Sequence, residues 1–208
     1  MYHMSITLDG VSKRFGTKTL FSSLDCTVSS GECLVVTGRN GSGKSTLLKI
    51  IARLLKPSSG RVEIRADKTL LRHFEQSLPY IGLISPELAF YDQLTGGENI
   101  GLLARARGLE PVREDISRAL RAVNLENFSN KYLATYSTGM IQRLRFALLS
   151  LIDPPIWLID EGLSNLDSDG QAMVLALIEA RLKQGHLIAM ATNGQSEVAY
   201  ASQIIALP

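Results

Sequence analysis

One eight-residue segment restricts the possible fold more than any other part of this chain. It follows the continuous apolar run Leu34-Val35-Val36 and has the sequence Gly38-Arg39-Asn40-Gly41-Ser42-Gly43-Lys44-Ser45. This sequence fits the pattern G-x-x-x-x-G-K-[ST] without a mismatch. Glycines let the backbone turn several N–H groups toward one point, and the start of a helix adds a positive dipole end there. The segment therefore predicts a phosphate-binding loop between a buried parallel strand and a helix.

The residues around this loop alternate between strand and helix patterns. After the loop, apolar residues recur on one helical face, and Pro57 and Gly60 are expected to close that helix: Leu47, Leu48, Ile50, Ile51, Leu54 and Leu55. Apolar or alternating runs predict further strands at 61–64, 156–159 and 187–191, and helical spacing over 172–182 predicts a helix that ends near Gly185. This alternation is typical of an α/β core with a mainly parallel sheet.

The middle third of the chain has a different pattern. Between Thr95 and about Ser150 no run has the character of a strand, whereas segments 101–107, 112–123 and 140–151 have helical spacing. We therefore expect a helical subdomain inserted into the α/β core.

Composition and charge exclude several classes of protein. Of 208 residues, 45% are apolar and 20% are charged, which is typical of a folded globular chain rather than a disordered one. The 22 basic and 20 acidic residues give a net charge of +2, so no basic field indicates a nucleic-acid partner. No apolar run is long enough to span a bilayer, no secretory signal is visible, and Cys26 and Cys33 form no disulfide framework. The expected location is the cytoplasm.

Two carboxylates follow the predicted strand at 156–159. Asp160 and Glu161 stand at its carboxyl end, which in a parallel sheet faces the ligand crevice. An acid in this place can hold Mg²⁺, and the next one can polarise a water molecule for in-line attack on a phosphate.

The order of motifs resembles that of ABC-type ATPases over essentially the whole chain. The phosphate loop is followed by Tyr136-Ser137-Thr138-Gly139-Met140, which resembles the family's signature, then by the acid pair, and then by Asn165-Leu166-Asp167, which resembles its D-loop. The resemblance implies a single cassette over residues 1–208 with an α/β P-loop NTPase core at about 1–84 and 152–208. It also implies an N-terminal antiparallel β subdomain and a helical subdomain at about 85–151.

The resemblance further implies an ATP-binding and ATP-hydrolysing subunit of a membrane transporter, with ATP and Mg²⁺ as ligands. Such a cassette pairs head to tail with a second cassette, identical or different, and docks peripherally on a separate transmembrane permease at the inner face of the membrane. Within the family, the segment Leu20-Phe21-Ser22-Ser23-Leu24 is similar to the ATPases of haem exporters used in cytochrome c maturation.

The resemblance also implies roles for individual residues. Phe15 matches the aromatic residue that stacks on adenine, although plain core packing is the alternative. Lys44, Glu161 and Asn193 stand at catalytic positions, and Ser45, Asp160 and Glu87 are the candidate metal ligands. The remaining nucleotide contacts fall on the two glycine-containing loops: Gly38, Arg39, Asn40, Gly41, Ser42, Gly43, Thr46, Ser137, Thr138, Gly139 and Met140.

Two positions depart from the family pattern. Pro86 stands where a Gln normally contacts Mg²⁺ and the attacking water, so Glu87 becomes the candidate substitute. Asn193 stands where a His normally follows the last core strand. An amide can donate a hydrogen bond to a phosphate but cannot carry a charge or transfer a proton. We therefore expect hydrolysis to be slow when the chain acts alone.

Two other functions fit parts of the pattern. The departures at Pro86 and Asn193 also suit a regulatory subunit that occludes nucleotide with little turnover. A soluble ABC ATPase that acts on DNA or the ribosome is the other alternative. It is disfavoured because the chain has no tandem cassette and no basic footprint.

Overall fold

A computed structural model describes residues 2–208. Within that range the strands are β1 (Met4–Phe15), β2 (Lys18–Ser29), β3 (Cys33–Thr37), β4 (Ser59–Ala66), β5 (Thr69–Leu71), β6 (Ile81–Ile84), β7 (Ile156–Asp160), β8 (Leu187–Ala191) and β9 (Gln203–Ala206). The helices are α1 (Lys44–Ile51), α2 (Phe74–Ser77), α3 (Gly96–Ala106), α4 (Arg113–Arg121), α5 (Thr138–Ile152), α6 (Ser168–Lys183) and α7 (Gln195–Val198).

The strands form two sheets. One has the order β2-β1-β4-β5, and its strands pair antiparallel. The other has the order β6-β7-β8-β3-β9; β8 pairs parallel with β7 and β3, and β9 pairs parallel with β3. Every residue of β7 and of β8 is buried, as expected for strands of a parallel sheet that is covered on both faces. The parallel arrangement brings the carboxyl ends of β3, β7 and β8 to the same edge.

The chain divides into two compact units, each described separately below. The core unit comprises the residues up to Leu83, Pro155–Glu161 and Glu179–Pro208. The helical unit comprises Ile84–Pro154 and Gly162–Ile178. The helical unit thus includes a segment beyond the acid pair that carried no sequence signal for it, and the boundaries at about 85–151 stay a prediction.

Helix α1 ends earlier than its apolar pattern indicates. The pattern continues to Leu55, but the last helical residue is Ile51. Arg53 adopts φ +59°, and the N–H of Leu54 donates to the carbonyl of Lys49, so the chain turns away from the helix axis. Leu54 is consequently 57% exposed instead of packing in the core.

Trp157, the second residue of β7, is a large, fully buried side chain of the core unit. The buried ring of His186 meets it edge to face, with 5.8 Å between ring centroids. The guanidinium of Arg181 lies 5.4 Å from the indole centroid, within the range of a cation–π interaction. Strand β7, which carries Asp160, is therefore fixed by its own side chains as well as by its neighbours in the sheet.

Across residues 2–208, each helix is too short or too polar to cross a lipid bilayer.

Candidate functional site

The phosphate loop joins β3 to α1 and follows the predicted strand-loop-helix order. Gly38 adopts φ +145°, and a Cβ at this position would lie 2.6 Å from the carbonyl oxygen of Leu207, so only glycine fits. Gly43 is the N-cap of α1 with φ +105°, and as a glycine it offers no side chain to cap the first N–H groups of the helix. Because these N–H groups have no partner within the helix, they form a site for an anion.

The ammonium group of Lys44 is bound to the backbone of this loop. The side chain is 6% exposed, and its Nζ donates to the carbonyls of Gly38 at 2.8 Å and Arg39 at 3.2 Å. Among the described residues, the buried hydroxyl of Ser42 has no hydrogen-bond partner. A buried hydroxyl without a partner costs free energy, and a hydrogen bond donated to a phosphate oxygen would recover it. The loop therefore fits a polyphosphate.

Ser45 and Asp160 meet beneath the loop, at the start of α1 and the end of β7. The Ser45 hydroxyl donates to Oδ1 of Asp160 at 3.0 Å, and Asp160 is 5% exposed. Burial raises the pKa of the Asp160 carboxyl, and the charge of Glu161 raises it further, whereas the Ser45 hydrogen bond acts in the opposite direction. A hydroxyl beside a carboxylate is the type of oxygen pair that Mg²⁺ takes as ligands.

Glu161 has an unusual backbone conformation directly after β7. Its φ is +53°, and its N–H donates to the carbonyl of Ala191 at 3.0 Å. A non-glycine residue in the left-handed region costs roughly 1 kcal/mol or more. Glu161 lines an open cleft of about 200 Å³ together with Lys44 and Ser45. The strained turn therefore directs the carboxylate into the cleft that the phosphate loop also lines.

Asn193 contacts the phosphate loop through a side chain. It is exposed, and its Nδ2 donates to Oδ1 of Asn40 at 2.6 Å. The loop behind it is held by two buried residues, Thr192 and Glu197: the Thr192 hydroxyl donates to the Glu197 carboxylate at 2.7 Å and accepts the N–H of Gly194 at 2.8 Å. Sequence reasoning missed Thr192 and Glu197, because a polar pair five residues apart gives no periodic signal.

Phe15 ends β1 and is not a core residue. It is 52% exposed, so the alternative of plain core packing is wrong. The ammonium of Lys13 lies 4.8 Å from the ring centroid, within cation–π range. Phe15 therefore presents an accessible aromatic face, which is what stacking on a base requires.

The signature-like segment and the residues near position 86 belong to the helical unit. Ser137 is the N-cap of α5, and its Oγ accepts the N–H of Met140 at 3.2 Å. Ser137 and Thr138 are exposed, and a Cβ on Gly139 would lie 2.9 Å from the carbonyl oxygen of Asn165. Together with Met140 these residues form an open helix N-terminus that can accept an anion.

Pro86 and Glu87 are both exposed, on the segment that follows β6.

Comparison with known proteins identifies the family. The family described as ABC transporter matches residues 21–164. The chain is 33% identical over 192 residues to the cytochrome c biogenesis ATP-binding export protein CcmA of Rhizobium meliloti (strain 1021), covering 91% of each protein. It is 30% identical over 203 residues to the Fe(3+) ions import ATP-binding protein FbpC of Escherichia coli O157:H7, covering 96% of this chain but 58% of that protein. The chain thus spans less than two thirds of the FbpC relative.

The fold has close relatives among solved structures. The dimeric post-hydrolysis state of the ATP-binding cassette MJ0796, bound to ADP and Pi, superposes with a TM-score of 0.83 at 25% identity, covering 97% of this chain and 94% of that one. The predicted α/β cassette fold is confirmed, and so is the resemblance to ABC ATPases, including those of the cytochrome c maturation type. The chain belongs to the ABC transporter family, as one of its ATP-binding subunits.

Proposed function

We propose that this chain binds ATP with Mg²⁺ and hydrolyses it slowly, as the subunit that powers an ABC membrane transporter. In this proposal the chain pairs head to tail with a second cassette and docks from the cytoplasm on a separate permease. The observation that carries the proposal is the 3.0 Å contact between Ser45 and Asp160 beneath a loop over which Lys44 is held. A cation ligand pair and a polyphosphate cradle in one unit are what Mg-ATP requires.

The chain's own residues supply the binding. The first N–H groups of α1 and the Lys44 ammonium bind the β- and γ-phosphates, and Phe15 stacks on the adenine. The residues Arg39, Asn40, Gly41, Ser42, Gly43 and Thr46 complete the cradle. Ser45 and Asp160 would hold Mg²⁺, which would supply positive charge against the negative charge of the phosphates. Glu87 is the candidate additional ligand in the absence of a Gln at position 86.

The chemical step depends on two carboxyl-end residues and on the paired cassette. Glu161 accepts a proton from the attacking water, and Asn193 donates a hydrogen bond to the γ-phosphate. Segment 137–140 of α5 presents its N-terminus to the γ-phosphate bound on the paired cassette. The resemblance to ABC ATPases supports this arrangement.

Slow turnover follows from the two departures. The amide of Asn193 cannot transfer a proton, and Pro86 has no side-chain group that binds a metal ion. Each of these two positions therefore lacks a group that stabilises the transition state. Loss of one such hydrogen bond typically lowers the rate by about 10²–10³-fold. A second candidate function, occlusion of ATP without turnover, is favoured by the same 2.6 Å contact of Asn193 with Asn40, because an amide there can hold nucleotide in place without transferring a proton.

Phosphate release by the purified chain across a protein concentration series, with Mg-ATP in excess, tests the proposal. We expect turnover to rise faster than linearly with protein, because two cassettes form each site. Glu161→Gln removes the proton acceptor and should lower kcat by about 10²-fold or more while ATP binding persists. The exposed Glu110 provides the matched control, Glu110→Gln, which should behave as the unmodified chain. ATP binding without turnover in either chain would favour occlusion, and absence of ATP binding would overturn both functions.

A further inference from the structure

Helix α5 carries an arginine that its sequence pattern does not single out. Arg145 is half-buried in the helical unit, and its guanidinium contacts the segment that follows β6. Nη2 donates to the carbonyl of Pro86 at 3.1 Å and to that of Leu88 at 3.2 Å, and Nε donates to Leu88 at 3.3 Å. One side chain thus holds the backbone of residues 86–88, where the Gln of the family pattern is missing.

The same guanidinium also binds a side chain of α5. Its Nη1 donates to Oε1 of Gln142 at 2.7 Å. Gln142 is 2% exposed, and its Nε2 donates to the carbonyl of Gly162 at 2.8 Å. Hydrogen bonds therefore run without interruption from the carbonyls of Pro86 and Leu88, through Arg145 and Gln142, to Gly162.

This series of hydrogen bonds joins two segments that the family pattern places at the catalytic site. Gly162 is the residue covalently attached to Glu161, whose backbone is held in a left-handed conformation. Residues 86–88 occupy the place where the family pattern has its metal- and water-contacting side chain. A shift of one end changes the hydrogen bonds available at the other, because Gln142 and Arg145 are partly or fully withdrawn from water, which would otherwise replace a lost partner.

An arginine is suited to this task where a lysine is not. Its planar guanidinium presents five N–H donors in a fixed fork and can bind several acceptors at once, whereas an ammonium is a single point charge on a flexible stem. Burial lowers the pKa of Arg145 from its ordinary value, although an arginine remains charged at neutral pH. Its bonds to the neutral carbonyls are therefore charge-assisted and stronger than those between neutral groups.

We propose that Arg145 is a positioning residue that couples the backbone of residues 86–88 to the backbone after Glu161 through Gln142, and so sets the rate of hydrolysis without contributing to ATP affinity. The inference rests on the proposed ATPase function. It assigns the linkage between these two segments to a side chain of α5 and to backbone carbonyls, in place of a side chain at position 86.

Steady-state hydrolysis and ATP binding by the full chain, measured on the same preparations, test this role. Arg145→Ala should lower kcat roughly tenfold and leave the Kd for ATP unchanged, because the carbonyls of Pro86 and Leu88 lose their charged donor while the phosphate loop stays intact. Arg145→Lys should recover only part of the loss. Arg118 is an exposed arginine on α4 whose partner is Asp115, so Arg118→Ala is the matched control and should leave both quantities unchanged.

A double-mutant cycle separates coupling from simple loss of packing. If Arg145 acts through Gln142, Arg145→Ala combined with Gln142→Ala should lower kcat no more than the larger single effect, whereas Arg118→Ala combined with Gln142→Ala should be additive. Additive losses for Arg145 and Gln142, or a change in Kd equal to the change in kcat, would overturn the inference.

Hydrogen exchange of the nucleotide-free chain keeps the test independent of the proposed function. Arg145→Ala should reduce amide protection in residues 162–166 as well as near Leu88, and Arg145→Lys should do so to a smaller extent even if the alanine variant is too unstable for kinetics. Unchanged protection in 162–166 would overturn the linkage. Absence of hydrolysis by the unmodified chain, with these protection changes present, would overturn the ATPase proposal but not the linkage.

Discussion

The phosphate loop, residues 38–45, and the switch loop, residues 192–197, are two loops of the core unit that meet at one side-chain contact but are built differently. The phosphate loop offers backbone N–H groups and keeps every residue of its pattern, including Gly38, where a side chain cannot fit. The switch loop contacts the phosphate loop through the side chain of Asn193, which stands where the family pattern has a His. Thr192 and Glu197, which hold this loop, are nevertheless buried and joined by a hydrogen bond. We therefore expect nucleotide affinity to depend on the backbone and the lysine of the phosphate loop, and the rate of hydrolysis to depend on a replaceable side chain of the switch loop.

The largest effect is expected from a substitution that removes the positive charge of Lys44 from the phosphate loop. Lys44→Ala should weaken ATP binding by about 10²-fold or more, because a charge-assisted contact to the phosphates is lost. Equilibrium binding of a fluorescent ATP analogue measures the change. Lys68→Ala, at an exposed turn, is the control and should bind normally. Normal binding by Lys44→Ala would contradict this prediction and show that the backbone N–H groups of the loop account for the affinity without the lysine.

A smaller effect is expected from restoring the family residue in the switch loop. Asn193→His should raise kcat on the order of tenfold, because an imidazole can transfer a proton and carry a charge that an amide cannot. The gain should be largest at low pH and decline as the pH rises through the ordinary pKa of histidine, about 6.5, because the imidazole loses its charge there. ATP affinity should change little, since the phosphate loop is untouched.

The exposed Asn127 offers the matched change, Asn127→His, which should leave the profile as it is. An unchanged kcat in Asn193→His would show that the missing imidazole does not limit turnover, which would leave Pro86 as the departure that does.

The smallest effect concerns stability at the base of the phosphate loop. The pKa of Asp160 is raised in the folded chain, so the folded state binds this proton more tightly than the unfolded state does. Stability of the Mg²⁺-free chain should therefore fall as pH rises from the unfolded pKa through the folded one, with the penalty fully present above it. Asp160→Asn should be the more stable chain at neutral pH, with a difference that disappears in strong acid.

Urea unfolding across this pH range, without nucleotide or Mg²⁺, measures the difference. The exposed Asp92→Asn is the control and should follow the unmodified chain at every pH. If Asp160→Asn is less stable than the unmodified chain at neutral pH, neighbouring groups stabilise the ionised carboxylate more than burial destabilises it. The raised pKa would then no longer support a role for Asp160 as a cation ligand.

Much of the fold could be predicted from the sequence because it depends on short-range patterns. Strand β8 coincides with the predicted run at 187–191, and β7 extends the predicted run at 156–159 by Asp160, because continuous apolar runs mark buried parallel strands. The end of α1 could not be predicted, because the turn at Arg53 depends on a left-handed backbone that an arginine rarely adopts. The end of this helix is therefore set by tertiary structure, although the apolar spacing continues beyond it.

The site divides in the same way. The phosphate loop and the acid pair are contiguous motifs, so the sequence locates them directly. The contact of Asn193 with Asn40 joins residues 153 positions apart, and the bonds of Arg145 reach back 57 and 59 positions. No periodicity or spacing links such partners in one sequence. The exposure of Phe15 also required the structure, since an aromatic residue at a strand end packs inward or outward with the same local pattern.

The buried position of Trp157 gives the chain an intrinsic optical reporter. It is the single tryptophan in the sequence, so fluorescence excited at the red edge of the protein spectrum arises from β7 alone. Its ring is shielded from water, and the strand that holds it ends three residues later at Asp160. Emission should therefore shift to longer wavelength when the core unit unfolds and stay blue-shifted when nucleotide binds. Melting of the core unit can thus be followed without any label, and substitutions at the cleft can be checked for folding in the same cuvette as the assay.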